Sequence, residues 1–550
     1  MVGCAMLPRR AVLALTLVVG LVGIGWGLPG SESWAADAAS PRGAGLGAIL
    51  ETYVSGHHHI YPPLHMLILT VLSLPVIAWG AATAGTSPAA LEAALIQVGP
   101  MTIVEVLARL VAVAMTLGIV HFTMRLHDDP KRPWTAPLAG LAAATVAPLA
   151  YYGKTGNLDV PALFWGTACL AELGRLLRDG AARDPRRAVL YAAAAVLTKD
   201  QIAGVLALPL LLVAVQWGRE KRLFTRPVLT AAALGLGAFL VLSGALPNPS
   251  GYAARLRELF GPASRSWEAY PRTAEGTQAL FRDLFLSVPR LSSWPMFALA
   301  LGGLGLAASG RARAGEVAPW APRLVALLPA LGALSFTVTF TIGARRTDDR
   351  FLLAQAVLLF PYAGVALGWL MDRSRRVAWL AAAGALAASA VGVASVDATL
   401  LVDARYEAER YLDGLPAGTV VEVYGGPKFL PRIPEKLATS RVGTDPPESR
   451  SHLPHVAEVL DPNMGERRPE IIVLSTEFSH TFDGGAAPAP LHGVRAYMDP
   501  ASFRFFDDLT AERLPFARVL RAECNLPWPL SCRRIHGSTG EPVWIYKVRR

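Results

Sequence analysis

The sequence predicts a polytopic α-helical membrane protein with a small mixed α/β domain after its last span. Three observations predict it. Of 550 residues, 53% are hydrophobic and only 17% charged, and mean hydropathy is +0.37, a balance outside the range of soluble globular chains. Apolar runs recur from residue 10 to about residue 396, separated mostly by short, arginine-bearing loops. Beyond about residue 398 the pattern changes to strand-like and helix-like segments bounded by Gly and Pro.

The apolar runs that read as spans are 10–29, 103–124, 135–150, 160–176, 188–198, 201–217, 227–246, 292–309, 324–342, 351–370 and 377–396, about eleven in all. Several are shorter than the roughly 20 residues that cross a bilayer core. The first follows Arg9 and Arg10 and resembles a signal peptide, but it is expected to stay as an uncleaved span. Net charge of +10 invites a nucleic-acid reading; arginines confined to short loops between apolar runs instead orient a membrane protein.

The run 61–82 is long enough to cross, and loop charge argues that it does not. If it stays on one side, the loops 125–134, 175–187, 218–226, 310–323 and 371–376 face the cytoplasm with Arg9 and Arg10. If it crosses, all five basic loops flip outward. The expected topology therefore has a re-entrant or juxtamembrane helix opened by Pro62 and Pro63, a cytoplasmic N-terminus, and a C-terminal domain outside the cytoplasmic membrane. The segments 30–60, 151–159, 198–200, 247–291 and 343–350 then share the outer face.

The domains divide as 1–400 and 401–550. In the second, 418–425 and 469–475 read as strands, 541–548 as an edge strand, and 404–415 and 502–514 as helices. Cys524 and Cys532, in CNLPWPLSC, are expected to form a disulfide in an oxidising compartment. Cys169 reads as an apolar packer.

Several outer-face groups carry candidate chemistry. Asp37, after the first span, is either a general base or an ordinary loop carboxylate. His57, His58 and His59 are adjacent and point in different directions on a helix, so they do not form one tetrahedral metal site; one of them could join Asp37 at a metal. Tyr61 and the prolines shape the start of the next helix. Asp159, two residues after Asn157, binds substrate or caps its helix, and Lys154 reads as exposed and interfacial. Lys199 and Asp200 interrupt an apolar stretch, either to meet a lipid phosphate or to solvate a turn as a simple pair. Glu105 and Arg109 are spaced as an i, i+4 ion pair.

In order, Asp37 in WAADAASP, Tyr61-Pro62-Pro63-Leu64, Asn157-Leu158-Asp159, Thr198-Lys199-Asp200-Gln201 and Arg350-Phe351-Leu352-Leu353 resemble the motifs of C-type (GT-C fold) membrane glycosyltransferases. The closest branch includes protein O-mannosyltransferases and the lipid A aminoarabinose transferase. The resemblance covers roughly residues 10–370. It departs at Ala38, where the family often has Glu, and at Ile60, where relatives tend to carry a charged residue or His. It implies inverting transfer of a sugar from a polyprenyl-phosphate donor to a lipid, glycan or protein acceptor at the outer face. Asp37 would be the general base and Lys199 or Arg350 would stabilise the leaving phosphate. Asp159, Asn157, Tyr61 and His59 would bind substrate. No cofactor is required by this reading, though a divalent metal is compatible with it; membrane lipids are partners and nucleic acid is not. The rival readings are a flippase for a lipid-linked sugar and a non-catalytic assembly subunit.

Overall fold

The computed structural model describes residues 9–30, 33–35, 38, 46–179, 184–261, 268–310, 320–442, 457–459, 469–475, 500–535 and 539–549. The chain divides into two compact units. One comprises Met1–Ile24, Pro41–Leu72 and Leu107–Ala394; the other comprises Gly25–Ser40, Ser73–Val106 and Ser395–Arg550.

The first unit is helical, and each of the eleven expected runs overlaps helix, the run 10–29 only as far as Leu21. Six helices among the described residues are long and apolar enough to cross a membrane, or up to eight if each of two bent pairs is one span. Length separates these counts from eleven. Arg9–Leu21 and Arg186–Thr198 have 13 residues each, about 20 Å at 1.5 Å per residue, against a hydrocarbon core of about 30 Å. The run 135–150 is broken into Thr135–Ala144 and Ala147–Tyr152, with Pro148 in the first turn of the second helix. Within 61–82, Leu64–Leu72 and Leu74–Ala84 are long enough to cross only together, as a pair broken at Ser73, with Pro75 opening the second helix.

Small residues bring these helices together. A Cβ at Gly303, on Trp294–Ala308, would lie 1.8 Å from the Tyr362 carbonyl oxygen of Tyr362–Met371. Only glycine lets these two backbones touch. The stretch Asp349–Met371 is the most enclosed of the candidate spans, 94% of its apolar window being buried. Most of its side chains are covered, Phe351–Leu358 among them.

The second unit is built on a six-stranded sheet ordered β3-β2-β1-β4-β6-β5. The strands are β1 Val420–Tyr424, β2 Ala438–Val442, β3 Ala457–Val459, β4 Ile471–Leu474, β5 Phe516–Ala522 and β6 Val543–Val548. The first four run parallel, and β6 lies antiparallel between β4 and β5. The expectation of an edge strand at 541–548 is thus corrected: β6 is interior because β5, too rich in arginine to read as a strand, covers its outer side. Both faces are buried, as parallel strands require. Val421, Val423, Ile471 and Ile545 pack on Ala404–Asp413, while Tyr424, Ile472, Leu474 and Trp544 pack on Phe506 and Leu509. Cys524 and Cys532 are joined by a disulfide.

The same unit gathers the segment after the first helix. Arg405 meets Asp403 with Nε at 2.9 Å and a terminal nitrogen at 2.7 Å, and its guanidinium lies 4.1 Å from the Trp34 ring centroid and 5.1 Å from that of Trp26. Trp26 Nε1 donates to Asp403 at 2.9 Å. Arg432 clasps Glu409 at 2.7 and 2.5 Å and donates to the Leu28 carbonyl at 2.7 Å. Trp26, Leu28 and Trp34 are held to the α/β domain by these contacts.

Candidate functional site

The charged site is assembled from three helix starts in the helical unit. The first is the turn before Asp159–Asp179. Gly156 takes a φ of +71° there, and Asn157 Oδ1 accepts from the Asp159 amide at 2.6 Å. Asn157 supplies the cap, so the Asp159 carboxylate is available for other partners. Lys154 is not exposed, contrary to the sequence reading. It is 1% exposed and donates to the Val19 and Val22 carbonyls at 2.6 and 2.8 Å. The end of the first helix leaves carbonyls that need a donor, and the lysine supplies it. Arg109 likewise donates to the Ile24 carbonyl at 2.5 Å.

The second start is the break at Lys199. Helix Arg186–Thr198 ends, Lys199 is extended at φ −158° and ψ 123°, and a 3₁₀ turn Asp200–Ile202 leads into Ala203–Arg219. In extended backbone neighbouring side chains diverge. The Lys199 ammonium meets Asp159 Oδ1 at 2.6 Å, whereas Asp200 pairs with Arg255. The solvated-turn alternative is thereby corrected, because Lys199 is only 4% exposed and the Asp159 carboxylate that it meets lies 40 residues away.

The third start is Asp349–Leu359, with Arg350 in its first turn. Arg350 Nε lies 3.5 Å from Asp159 Oδ2, and its guanidinium stands 4.7 Å from the Phe351 ring centroid. The loop before it is fixed by Arg345, a left-handed residue at φ 51°. Arg345 donates to the Tyr270 and Pro271 carbonyls at 2.8 and 2.6 Å. Burial raises the Tyr270 hydroxyl above its usual range.

Tyr61 borders this cluster, its ring centroid 5.8 Å from Lys199 Nζ. The chain leading to it is clamped by Asn248, whose Nδ2 donates to the Thr52, Val54 and His57 carbonyls at 3.2, 2.8 and 2.9 Å. Arg255 adds a bond from Nε to the Ile60 carbonyl at 3.2 Å. A Cβ at Gly251 would fall 2.0 Å from the His57 carbonyl oxygen, so glycine is needed for this approach. His58 meets Glu258 at 2.8 Å and His59 meets Glu51 at 3.1 Å; the His59 ring centroid is 6.2 Å from that of Tyr61.

Asp159, Lys199 and Arg350 line one cleft with Gln201 and the apolar side chains Ala162, Leu163, Ile202, Phe336, Leu353 and Ala354. Two cations and one carboxylate therefore face a largely hydrocarbon wall. Two first turns add the positive ends of helix dipoles. Such a lining suits an amphiphile with an anionic head. Of the sequence candidates, Asp159, Lys199 and Arg350 meet directly, Tyr61 adjoins them, and Asn157 acts through its cap. His59 is engaged by Glu51 beside Tyr61. Asp37 lies outside the described residues. No group of three or more metal-ligating side chains is present among the described residues. Sequence reasoning missed the Arg255–Asp200 pair and the Asn248 clamp. The Asn-Pro of PNPSG, a helix-start signature, was a usable signal for the clamp alone.

No family model matches the chain, and no curated protein sequence matches it. Solved structures are similar over nearly its whole length. ArnT from Cupriavidus metallidurans in the apo state is 15% identical, with 98% of this chain and 97% of that one covered at a TM-score of 0.49. The same protein bound to undecaprenyl phosphate is also 15% identical, with 98% of each chain covered at 0.48. The archaeal oligosaccharyltransferase AglB from Archaeoglobus fulgidus, in complex with an inhibitory peptide and a dolichol-phosphate, is 11% identical, with 98% of this chain and 88% of that one covered at 0.45. These neighbours are GT-C glycosyltransferases, the group that the sequence motifs resemble.

Proposed function

We propose that this chain is a polytopic membrane glycosyltransferase that moves a sugar from a polyprenyl-phosphate donor to an acceptor at the outer face of the cytoplasmic membrane. One observation supports the reading above the others: Lys199 and Arg350, from separate helix starts, converge on Asp159 in a cleft whose remaining wall is mostly apolar. In the proposed reaction Asp37 takes the proton of the acceptor hydroxyl or amine as that atom attacks the anomeric carbon from the face opposite the phosphate. The new glycosidic bond forms, the bond from the anomeric carbon to the phosphate oxygen breaks, and configuration inverts. The phosphodiester becomes a phosphate monoester and gains one negative charge on leaving. Lys199 and Arg350 are placed to stabilise that charge. Asp159 keeps the two cations together, and Tyr61 shields the Lys199 side of the cleft.

The same reading assigns about eleven crossings, with the N-terminus in the cytoplasm, residues 1–400 as the transferase domain and 401–550 as an external domain. It requires no cofactor. The test is mass spectrometry of lipid-linked sugars and envelope glycans in cells lacking the chain, complemented with wild type or with Asp37→Asn. Loss of a glycan with build-up of its lipid-linked precursor, rescued by wild type but not by Asp37→Asn, is expected. Rescue by Asp37→Asn would remove the base and favour a carrier for the lipid-linked sugar. An unchanged glycan profile in the deletion would remove transfer altogether.

A further inference from the structure

The α/β unit buries most of its tryptophans. Trp26 and Trp34 are each 2% exposed and Trp544 is 1% exposed. Trp528 is 92% exposed. It lies in the nine-residue loop 524–532, closed by the Cys524–Cys532 disulfide, with Pro527 and Pro529 on either side. A covalent ring and two prolines restrict the loop, so the indole is displayed from a preformed support. Burying an indole normally stabilises a fold, and here the fold leaves it out.

The attachment of the loop says where it is displayed. The Ser531 amide donates to Ser395 Oγ at 3.2 Å and the Arg533 amide to Thr399 Oγ1 at 3.0 Å. Ser395 and Thr399 stand one turn apart on Arg375–Leu401, within a stretch long and apolar enough to cross a membrane. After Arg375 and Arg376 that helix carries no charge until Asp397. Twenty uncharged residues span about 30 Å, the thickness of the hydrocarbon core. Ser395 and Thr399 flank Asp397, so the loop is tied to the helix where hydrocarbon gives way to headgroups. Leu401 and Val402 are 58% and 42% exposed at the same end. Arg521, Arg533 and Arg534, against Glu523 alone, make the segment 521–534 net positive, which complements anionic lipid headgroups.

We propose that loop 524–532 is a membrane-interface anchor, with Trp528 seated in the headgroup layer beside the end of the last span. Tryptophan favours that depth because its ring is apolar and its N–H stays hydrated. This proposal is independent of the transfer reaction and rests only on 377–396 crossing the bilayer.

The test uses the full-length protein in nanodiscs of phosphatidylethanolamine and phosphatidylglycerol. Trp528→p-benzoylphenylalanine and Arg513→p-benzoylphenylalanine are irradiated, and adducts are read by mass spectrometry. Arg513 precedes β5, whose seven residues separate it from the loop by about 23 Å. Lipid adducts at position 528 and none at 513 are expected. Absence of lipid adducts at 528, adducts equally at both positions, or a covalent dimer through 528 in their place would overturn the anchor; the dimer would assign the loop to contact between copies of this chain.

Discussion

Two charged centres, one in each unit, set cations against carboxylates to opposite effect. In the α/β unit each guanidinium has its own carboxylate in a two-point grip, Arg405 on Asp403 and Arg432 on Glu409. Trp34 lies 4.1 and 5.5 Å from the two guanidinium carbons. In the helical unit one carboxylate, Asp159, faces Lys199 at 2.6 Å and Arg350 at 3.5 Å, and the three line a cleft. Matched and stacked charges fix a structure. Cations drawn from separate helix starts onto one shared carboxylate can also face an anion in the cleft. On the proposed reading, the difference separates an anchor from a site although both contain arginine and aspartate.

The comparison predicts different failures. Arg405→Ala leaves Asp403 buried without its guanidinium and should destabilise the α/β unit by about 3–5 kcal/mol, measured as a lower denaturant midpoint of the full-length protein. An unchanged midpoint would break the assignment of that centre as structural. Lys199→Ala should act on chemistry instead. Transfer from a lipid-linked sugar extract should fall by roughly 10²–10³-fold, as when one group stabilising developing charge is removed, with a smaller midpoint shift than for Arg405→Ala because Arg350 remains beside Asp159. A large midpoint shift with normal turnover per folded molecule would place Lys199 with Arg405. Lys154→Met should cost about 1–3 kcal/mol of stability through the Val19 and Val22 carbonyls it leaves, with activity per folded molecule retained. Tyr61→Ala, which removes a ring beside an ammonium, should weaken polyprenyl-phosphate affinity by about 0.5–2 kcal/mol, read by titration of the purified protein.

The comparison also explains what could be read in the sequence. The helical runs were legible because a membrane helix announces itself by a local average, and each expected run overlaps helix. Span length was less so, since the breaks at Thr145 and Ser73 depend on a proline two or three residues further on and on packing. The pairings of Lys199 with Asp159 and Asp200 with Arg255 join residues 40 and 55 positions apart, and no period in the sequence links them. Lys154 was misread because a lysine's need to cap distant carbonyls leaves no mark around it. Strand β6 reads as an edge because its neighbour β5, FARVLRA, sets Arg518 and Arg521 three residues apart and so breaks the two-residue alternation that marks a strand.

The account depends most on the cleft recognising a phosphate on a long isoprenoid. The direct measurement is binding of a polyprenyl phosphate and of the matching polyprenol to the purified protein in nanodiscs, with wild type and Lys199→Ala side by side. Wild type should bind the phosphate far more tightly than the alcohol, and Lys199→Ala should lose most of that preference. Equal binding of phosphate and alcohol by wild type, or an undiminished preference in Lys199→Ala, would contradict it.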